Sequence, residues 1–365
     1  MRKKMLWGGG ILLLAALLTI FAGACEGPTQ PPPTTPGPQG EQSDIDVTMS
    51  VSKPSNGQFF TAGEKPVITV TLKDASGAAL AREDFSSLGL YMYGPQEPTK
   101  TVTAVKLLNA SADRSKTPHH YIELAKDANV EVKDNVLKYN LQPVTDEEPG
   151  TYTVTLRASL KADPLQQDFE VVDVQIGTAT VEPQIVEREK CAACHLGADS
   201  GQFYFHHVDP GRSPTGSPAI DSWPVKTCKS CHNNEGYAAF RDPTTGDRVP
   251  DPIVNRVHGV HNGSHLESVR NIGSQEANIA GIFGDYLHVE FPANVKNCTT
   301  CHVDDRWKTE PNRVACGACH DNTWFGDLAA KPETMEAHPG GPQTNDANCS
   351  TCHTPDSGGM APPIS

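Results

Sequence analysis

Ten of the eleven cysteines in this 365-residue chain fall in five copies of one pattern, Cys-x-x-Cys-His. The copies are Cys191-Ala192-Ala193-Cys194-His195, Cys228-Lys229-Ser230-Cys231-His232, Cys298-Thr299-Thr300-Cys301-His302, Cys316-Gly317-Ala318-Cys319-His320 and Cys349-Ser350-Thr351-Cys352-His353. Two thiols at this spacing reach the two vinyl groups along one edge of a porphyrin and close as thioethers, while the adjoining histidine turns beneath the ring as proximal iron ligand. The pattern predicts five covalently bound haem c groups, with thioethers to the ten cysteines and iron on His195, His232, His302, His320 and His353. Zinc ribbons also use paired cysteines, but they do not need a histidine directly after every pair. A disulfide framework fails on the count, because only Cys25 lies outside the motifs.

An iron held this way has a second axial position, and what fills it separates electron transfer from substrate binding. Of 14 histidines, five complete the motifs and two, His119 and His120, fall in a strand-rich stretch. That leaves His206, His207, His258, His261, His265, His288 and His338. They are enough to close every iron with a second histidine, which suits electron transfer. His258 and His261 stand three apart in Arg256-Val257-His258-Gly259-Val260-His261-Asn262-Gly263, a spacing that on a helical turn aims them at different neighbouring haems. His338 precedes Pro339-Gly340-Gly341, between the fourth and fifth motifs. One of the adjacent His206 and His207 is expected to ligate, with His207 preferred, and His288 is favoured over His265. The expected distal set is His207, His258, His261, His288 and His338; no catalytic residue is assigned.

The elements that must position these groups divide the chain by character. Only 37% of residues are hydrophobic and 6% aromatic, with 31 glycines and 30 prolines, so a large core made of protein alone is hard to fill. Five haems share about 160 residues between Cys191 and His353, too few to wrap each in its own apolar pocket. Residues 187–365 are therefore expected to form an irregular, mostly loop and short-helix multihaem c-type cytochrome domain, with the macrocycles as its core and no order without them. Residues 44–186 read differently. Val67-Ile68-Thr69-Val70-Thr71-Leu72, Leu88-Gly89-Leu90-Tyr91-Met92-Tyr93, Val136-Leu137-Lys138-Tyr139-Asn140-Leu141 and Thr151-Tyr152-Thr153-Val154-Thr155-Leu156 alternate with period two, as half-buried strands do. Turn signals at Asp74-Ala75-Ser76-Gly77 and Glu148-Pro149-Gly150 separate them. An all-β N-terminal sandwich or barrel of immunoglobulin-like character is expected, in a supporting or docking role.

Arg2, Lys3 and Lys4 precede an apolar run from Met5 to Ala24, the layout of a secretory signal over residues 1–24. The run ends in Ala22-Gly23-Ala24-Cys25, which resembles a bacterial lipobox and predicts lipidation of Cys25. Residues 25–43 are too proline-rich to fold and read as a tether; extended at ~3.1 Å per residue they would reach on the order of 60 Å. A formal net charge of −14 disfavours a nucleic-acid partner, which needs a basic face.

The haem half resembles the outer-surface multihaem c-type cytochromes of metal-respiring bacteria, the decahaem OmcA/MtrC family. The resemblance lies in the order of features: His258 and His261, then Phe291-Pro292-Ala293-Asn294-Val295-Lys296-Asn297 leading into the third motif, then Trp307, then His338-Pro339-Gly340-Gly341. In that family a β-barrel-like domain precedes each pentahaem domain and the pair occurs twice, so this chain looks like a half-length pentahaem relative. The resemblance implies a lipid-anchored outer-membrane protein at the cell surface that passes respiratory electrons to other cytochromes, flavins or metal oxides. It also implies distal ligation by His258, His261 and His338. A multihaem reductase with one substrate-accessible haem is the enzyme alternative, weakened because no motif replaces its histidine with lysine. A cytochrome filament, with His119 or His120 ligating a haem of the next subunit, is the structural alternative.

Overall fold

The computed structural model describes residues 45–96, 103–104, 107–108, 121–162, 167–194, 225–233, 239–241, 248–266 and 289–354. The expected signal segment, Cys25 and its tether, together with His119, His120, His195, His206, His207 and His288, lie outside the described residues.

Period-two alternation becomes nine strands: β1 (Ile45–Val51), β2 (Val67–Asp74), β3 (Phe85–Gly94), β4 (Thr103–Ala104), β5 (Tyr121–Glu123), β6 (Glu131–Lys133), β7 (Val136–Asn140), β8 (Gly150–Leu160) and β9 (Gln167–Ile176). All pairings among them are antiparallel. One sheet has the order β1-β2-β7-β6; the other has the order β4-β3-β8-β9, with β5 also on β3. Ile68, Val70, Leu72, Leu137 and Tyr139 from the first sheet meet Leu88, Leu90, Met92, Val154 and Leu156 from the second in one closed core. This is the expected sandwich, with alternate residues of each strand directed inward.

One of the two expected turns forms as signalled, whereas Glu148-Pro149-Gly150 leads straight into β8. Asp74 Oδ1 accepts hydrogen bonds from Ser76 N and Ala78 N, both 2.9 Å, and Gly77 takes the positive φ of +88° that closes the loop. At the end of β3, Gly94 passes so close to Tyr152 that a Cβ there would lie 2.6 Å from the ring.

In one respect β3 and β8 differ from the expected half-buried strands. The outward row of β8, Thr151, Thr153, Thr155 and Ser159, is no more than 5% exposed, so both faces of this strand are covered. At Thr155 the cover is the 3-10 turn Val225–Ser230, which carries the first cysteine of the second motif, while Thr151 Oγ1 accepts from Glu182 N at 2.7 Å. Tyr93 donates its hydroxyl hydrogen to the Lys226 carbonyl, and the Thr155 and Ser230 hydroxyls hydrogen-bond to one another. Lys226 pairs with Asp173, while Lys229 Nζ donates to Gln96 Oε1 at 2.6 Å. The polar outer row that would ordinarily face water is thus a docking face.

Beyond β9 the helices are short: α1 (Arg188–Ala192), α2 (Ile253–His261), α3 (Arg306–Thr309), α4 (Arg313–Cys319) and α5 (Cys349–Cys352). Among the described residues after Ile176, the one fully buried apolar side chain is Ala318. Residues 39–365 nonetheless form a single compact unit.

Candidate haem-binding sites

Each described motif places its histidine by the same local device. The backbone N–H of the histidine donates to the carbonyl of the first cysteine, at 2.9 Å for His232, 2.9 Å for His302, 2.8 Å for His320 and 2.9 Å for His353. One helical turn puts residues i, i+3 and i+4 on one face, so both thiols and the imidazole could serve one porphyrin edge and its iron. The fourth motif is held by a cap at the start of α4, where Asn312 Oδ1 accepts from Ala315 N at 2.9 Å. The first motif turns the same way up to Cys194, whose N–H donates to the Cys191 carbonyl at 3.1 Å.

Two of the three described distal candidates face a motif histidine. The His258 and His302 ring centres are 6.2 Å apart with planes 11° from parallel, and His338 and His353 are 6.1 Å apart at 50°. A metal–imidazole bond is about 2.0 Å, so two imidazoles on opposite sides of one iron have ring centres on the order of 6 Å apart. The gaps therefore fit an iron. His338 is oriented by the backbone around it: its Nδ1 lies 3.2 Å from the Gly341 carbonyl, leaving Nε2 for the metal. The double glycine after Pro339 works by this geometry, since a Cβ on Gly340 would lie 2.9 Å from the His338 ring.

The third candidate, His261, sits one turn after His258 on α2. Its Nδ1 is 2.7 Å from the Val257 carbonyl, which would direct ligation through Nε2, and its ring meets Phe291 edge-on with centres 5.4 Å apart. The two rings thus meet different neighbours, His302 for His258 and Phe291 for His261. His265, the less favoured histidine, lies in the 3-10 turn just after α2.

Burial pushes the His258 pKa down to about 4, with His302 and His261 adding to the effect, and it also lowers His302. Buried neutral imidazoles are the form that ligates iron. His302 Nδ1 and the indole N–H of Trp307, five residues on, are buried without a hydrogen-bond partner. Among the described residues no three His, Cys, Asp or Glu side chains converge as a metal cluster, and the ten motif cysteines are in no disulfide. Paired axial nitrogens with single-edge thiols are a donor set that fits haem.

Burial raises the Cys228 thiol to about 12, with Cys191 of the first motif as the next contributor. Burial and then Cys301 of the third motif raise Cys191; burial raises Cys319 to about 11, with Cys316 and then Cys298 adding to it. Burial and then Cys349 raise Cys316. As thioethers these sulfurs would not titrate. Hydrogen bonds join two pairs of motifs. Lys190 Nζ donates to the Thr299 carbonyl and Val303 N to the Ile185 carbonyl, both at 3.1 Å, tying first to third. Arg313 Nε pairs with Asp346 Oδ1 at 2.8 Å, tying the start of α4 to the approach of α5.

Sequence reasoning passed over the second motif's surroundings. His232 is 3% exposed, its Nδ1 lies 3.0 Å from the Asp251 carbonyl, and Asp251 itself is fully buried. The Pro250-Asp251-Pro252 run before α2 is a helix-start signal, but a carboxylate before a helix is usually solvated.

Residues 183–361 match the family described as "Outer membrane cytochrome MtrC/MtrF-like, domains II/IV". No curated protein matches the chain. Among solved structures, the crystal structure of MtrC from Shewanella baltica OS185 is similar over 84% of this chain and 43% of that chain, at a TM-score of 0.45 and 16% identity. The chain therefore spans less than half the length of that protein. Over residues 183–361, just under half of its length, the chain carries a domain similar to domains II and IV of the MtrC/MtrF-like outer membrane cytochromes.

Proposed function

We propose that this protein is a pentahaem electron carrier of the outer cell surface, passing respiratory electrons along a chain of bis-histidine haems to other cytochromes, flavins or metal oxides. The observation that carries the reading is the pair of facing imidazoles, His258 with His302 and His338 with His353, at separations that suit an iron closed on both sides. Bound haem would supply one-electron chemistry at an iron with no open position. The chain's own residues bind it through the ten motif cysteines, fix the proximal rings by the i to i+4 turn, and orient His338 by its carbonyl contact. His207, His261 and His288 are the proposed distal ligands of the remaining irons.

Residues 1–24 are proposed as the export signal, 25–43 as a lipidated tether anchored at Cys25, 44–186 as the sandwich and 187–365 as the haem domain. The test is haem stoichiometry by mass and a spin-state spectrum on the same preparation. Five haems, all low-spin and none binding carbon monoxide when reduced, are expected; a high-spin, carbon monoxide-binding component would instead favour a reductase.

A further inference from the structure

A fully buried carboxylate and a largely buried guanidinium stand behind the histidine of the second motif. Asp251 is 0% exposed, Arg256 9% and His232 3%. Asp251 Oδ2 is 2.7 Å from Arg256 Nε and 3.8 Å from His232 Nδ1, while the Asp251 backbone carbonyl receives that same Nδ1 at 3.0 Å. One residue therefore contributes both the acceptor that sets the imidazole tautomer and a carboxylate held just behind it. Local backbone fixes the arrangement: Ile253 N donates to the His232 carbonyl at 3.1 Å and Arg256 N to the Pro252 carbonyl at 3.0 Å. The first turn of α2 is thereby pinned to the second motif, and its last turn carries His258 and His261.

Burying a carboxylate beside a guanidinium is costly, and an apolar pair would fill the space at less cost. The pair's placement gives it a use. Groups behind a ligating histidine tune the basicity of the ligand and the potential of the metal, and in a low-dielectric site a unit charge acts strongly. We propose that Asp251 and Arg256 are positioning residues for the second haem, acting through His232 as an opposed charge pair that sets its reduction potential. This rests on the haem reading of the second motif. The Asp251 carboxylate favours the oxidised, more positive iron; the Arg256 guanidinium opposes it, and neither touches the macrocycle in this role.

The test is a spectroscopically monitored redox titration of the holoprotein, fitted as five one-electron components, for Asp251→Asn, Arg256→Gln and the double variant. Asp251→Asn should raise one component, favouring reduction about tenfold, which for one electron is 59 mV. Arg256→Gln should lower the same component by a similar factor, and the double variant should return close to wild type. A purely structural role would not move the potential in opposite directions. If either single variant leaves all five components in place, or both move one component the same way, the proposal is wrong. Should Asp251→Asn fail to retain its haems, Arg256→Gln and Arg256→Lys decide it, the first lowering the component and the second leaving it near wild type. Wild-type protein carrying no haem on Cys228 and Cys231 by peptide mass would instead overturn the haem reading itself.

Discussion

The sandwich and the haem region solve the same problem of excluding water with opposite means. Up to Ile176 the core is a continuous set of aliphatic and aromatic side chains from two sheets, including Ile68, Leu72, Leu88, Leu90 and Leu156, each 0% exposed. After Ile176, among the described residues, burial falls instead on polar groups such as Thr227, His232, Asp251, Arg256 and Asn262, with Ala318 the one apolar side chain. Polar burial without an apolar core cannot offset chain entropy. The first region has the apolar core of an ordinary sandwich; the second is a series of short turns whose buried groups are polar.

The largest effect should come from withholding haem. Expressed in a host without cytochrome maturation, the chain should keep a protease-resistant fragment spanning the sandwich, while residues 187–365 become readily cleaved and their amide protection disappears. The fragment should stay soluble, because the face it uncovers carries the hydroxyls of Thr155 and Tyr93 rather than a wholly apolar patch. Protection of the haem-region amides equal to that of the holoprotein would erase the contrast between the regions.

The converse cut is a cavity in the sandwich. Leu90→Ala removes a fully buried side chain from the core and should cost about 2–5 kcal/mol of stability, read as a lower denaturant midpoint for the β signal. The absorbance of the bound haems should persist into that transition, apart from a change at the second motif, which leans on the sheet.

His338→Ala should act on one iron. With no imidazole opposite His353, one haem of the five should turn high-spin and bind carbon monoxide when reduced, the rest remaining low-spin. Five low-spin haems in this variant would mean that the facing pair is not a ligand pair.

These variants also locate what was legible in the sequence. The motif geometry was readable because it is local: two cysteines and a histidine within one turn need no other part of the chain. The sandwich was readable because alternation reports the core face. Alternation is silent about the opposite face, and nothing in Thr151, Thr153 and Thr155 distinguishes a threonine row in water from a covered one. The distal partners were only half legible. His258 and His338 could be nominated from spacing and resemblance, but the choice of His302 and His353 as their partners depends on how separate turns come together. Asp251 was missed because burial of a single carboxylate leaves no periodic trace.

The smallest effects fall at the seam between the regions, where each fold is only partly itself. Tyr93→Phe removes the hydroxyl that donates to the Lys226 carbonyl and should cost about 0.5–1.5 kcal/mol, loosening the second motif's turn without disturbing the sandwich core. Lys229 adds a pH dependence at the same seam. Burial, with Lys226 nearby, lowers its pKa from 10.5 to about 8, so the folded state holds this proton less tightly than the unfolded chain. Between about pH 8 and 10.5 the unfolded chain binds more protons, and the contribution of this group to stability therefore rises with pH across that window. Below it the full cost of burying the charge remains. Hydrogen exchange of the Val225–Ser230 amides, corrected for the intrinsic rate and measured from pH 7 to 10, should show protection growing with pH in the wild type and staying flat in Lys229→Gln. Equal slopes in the two proteins would place the titration elsewhere.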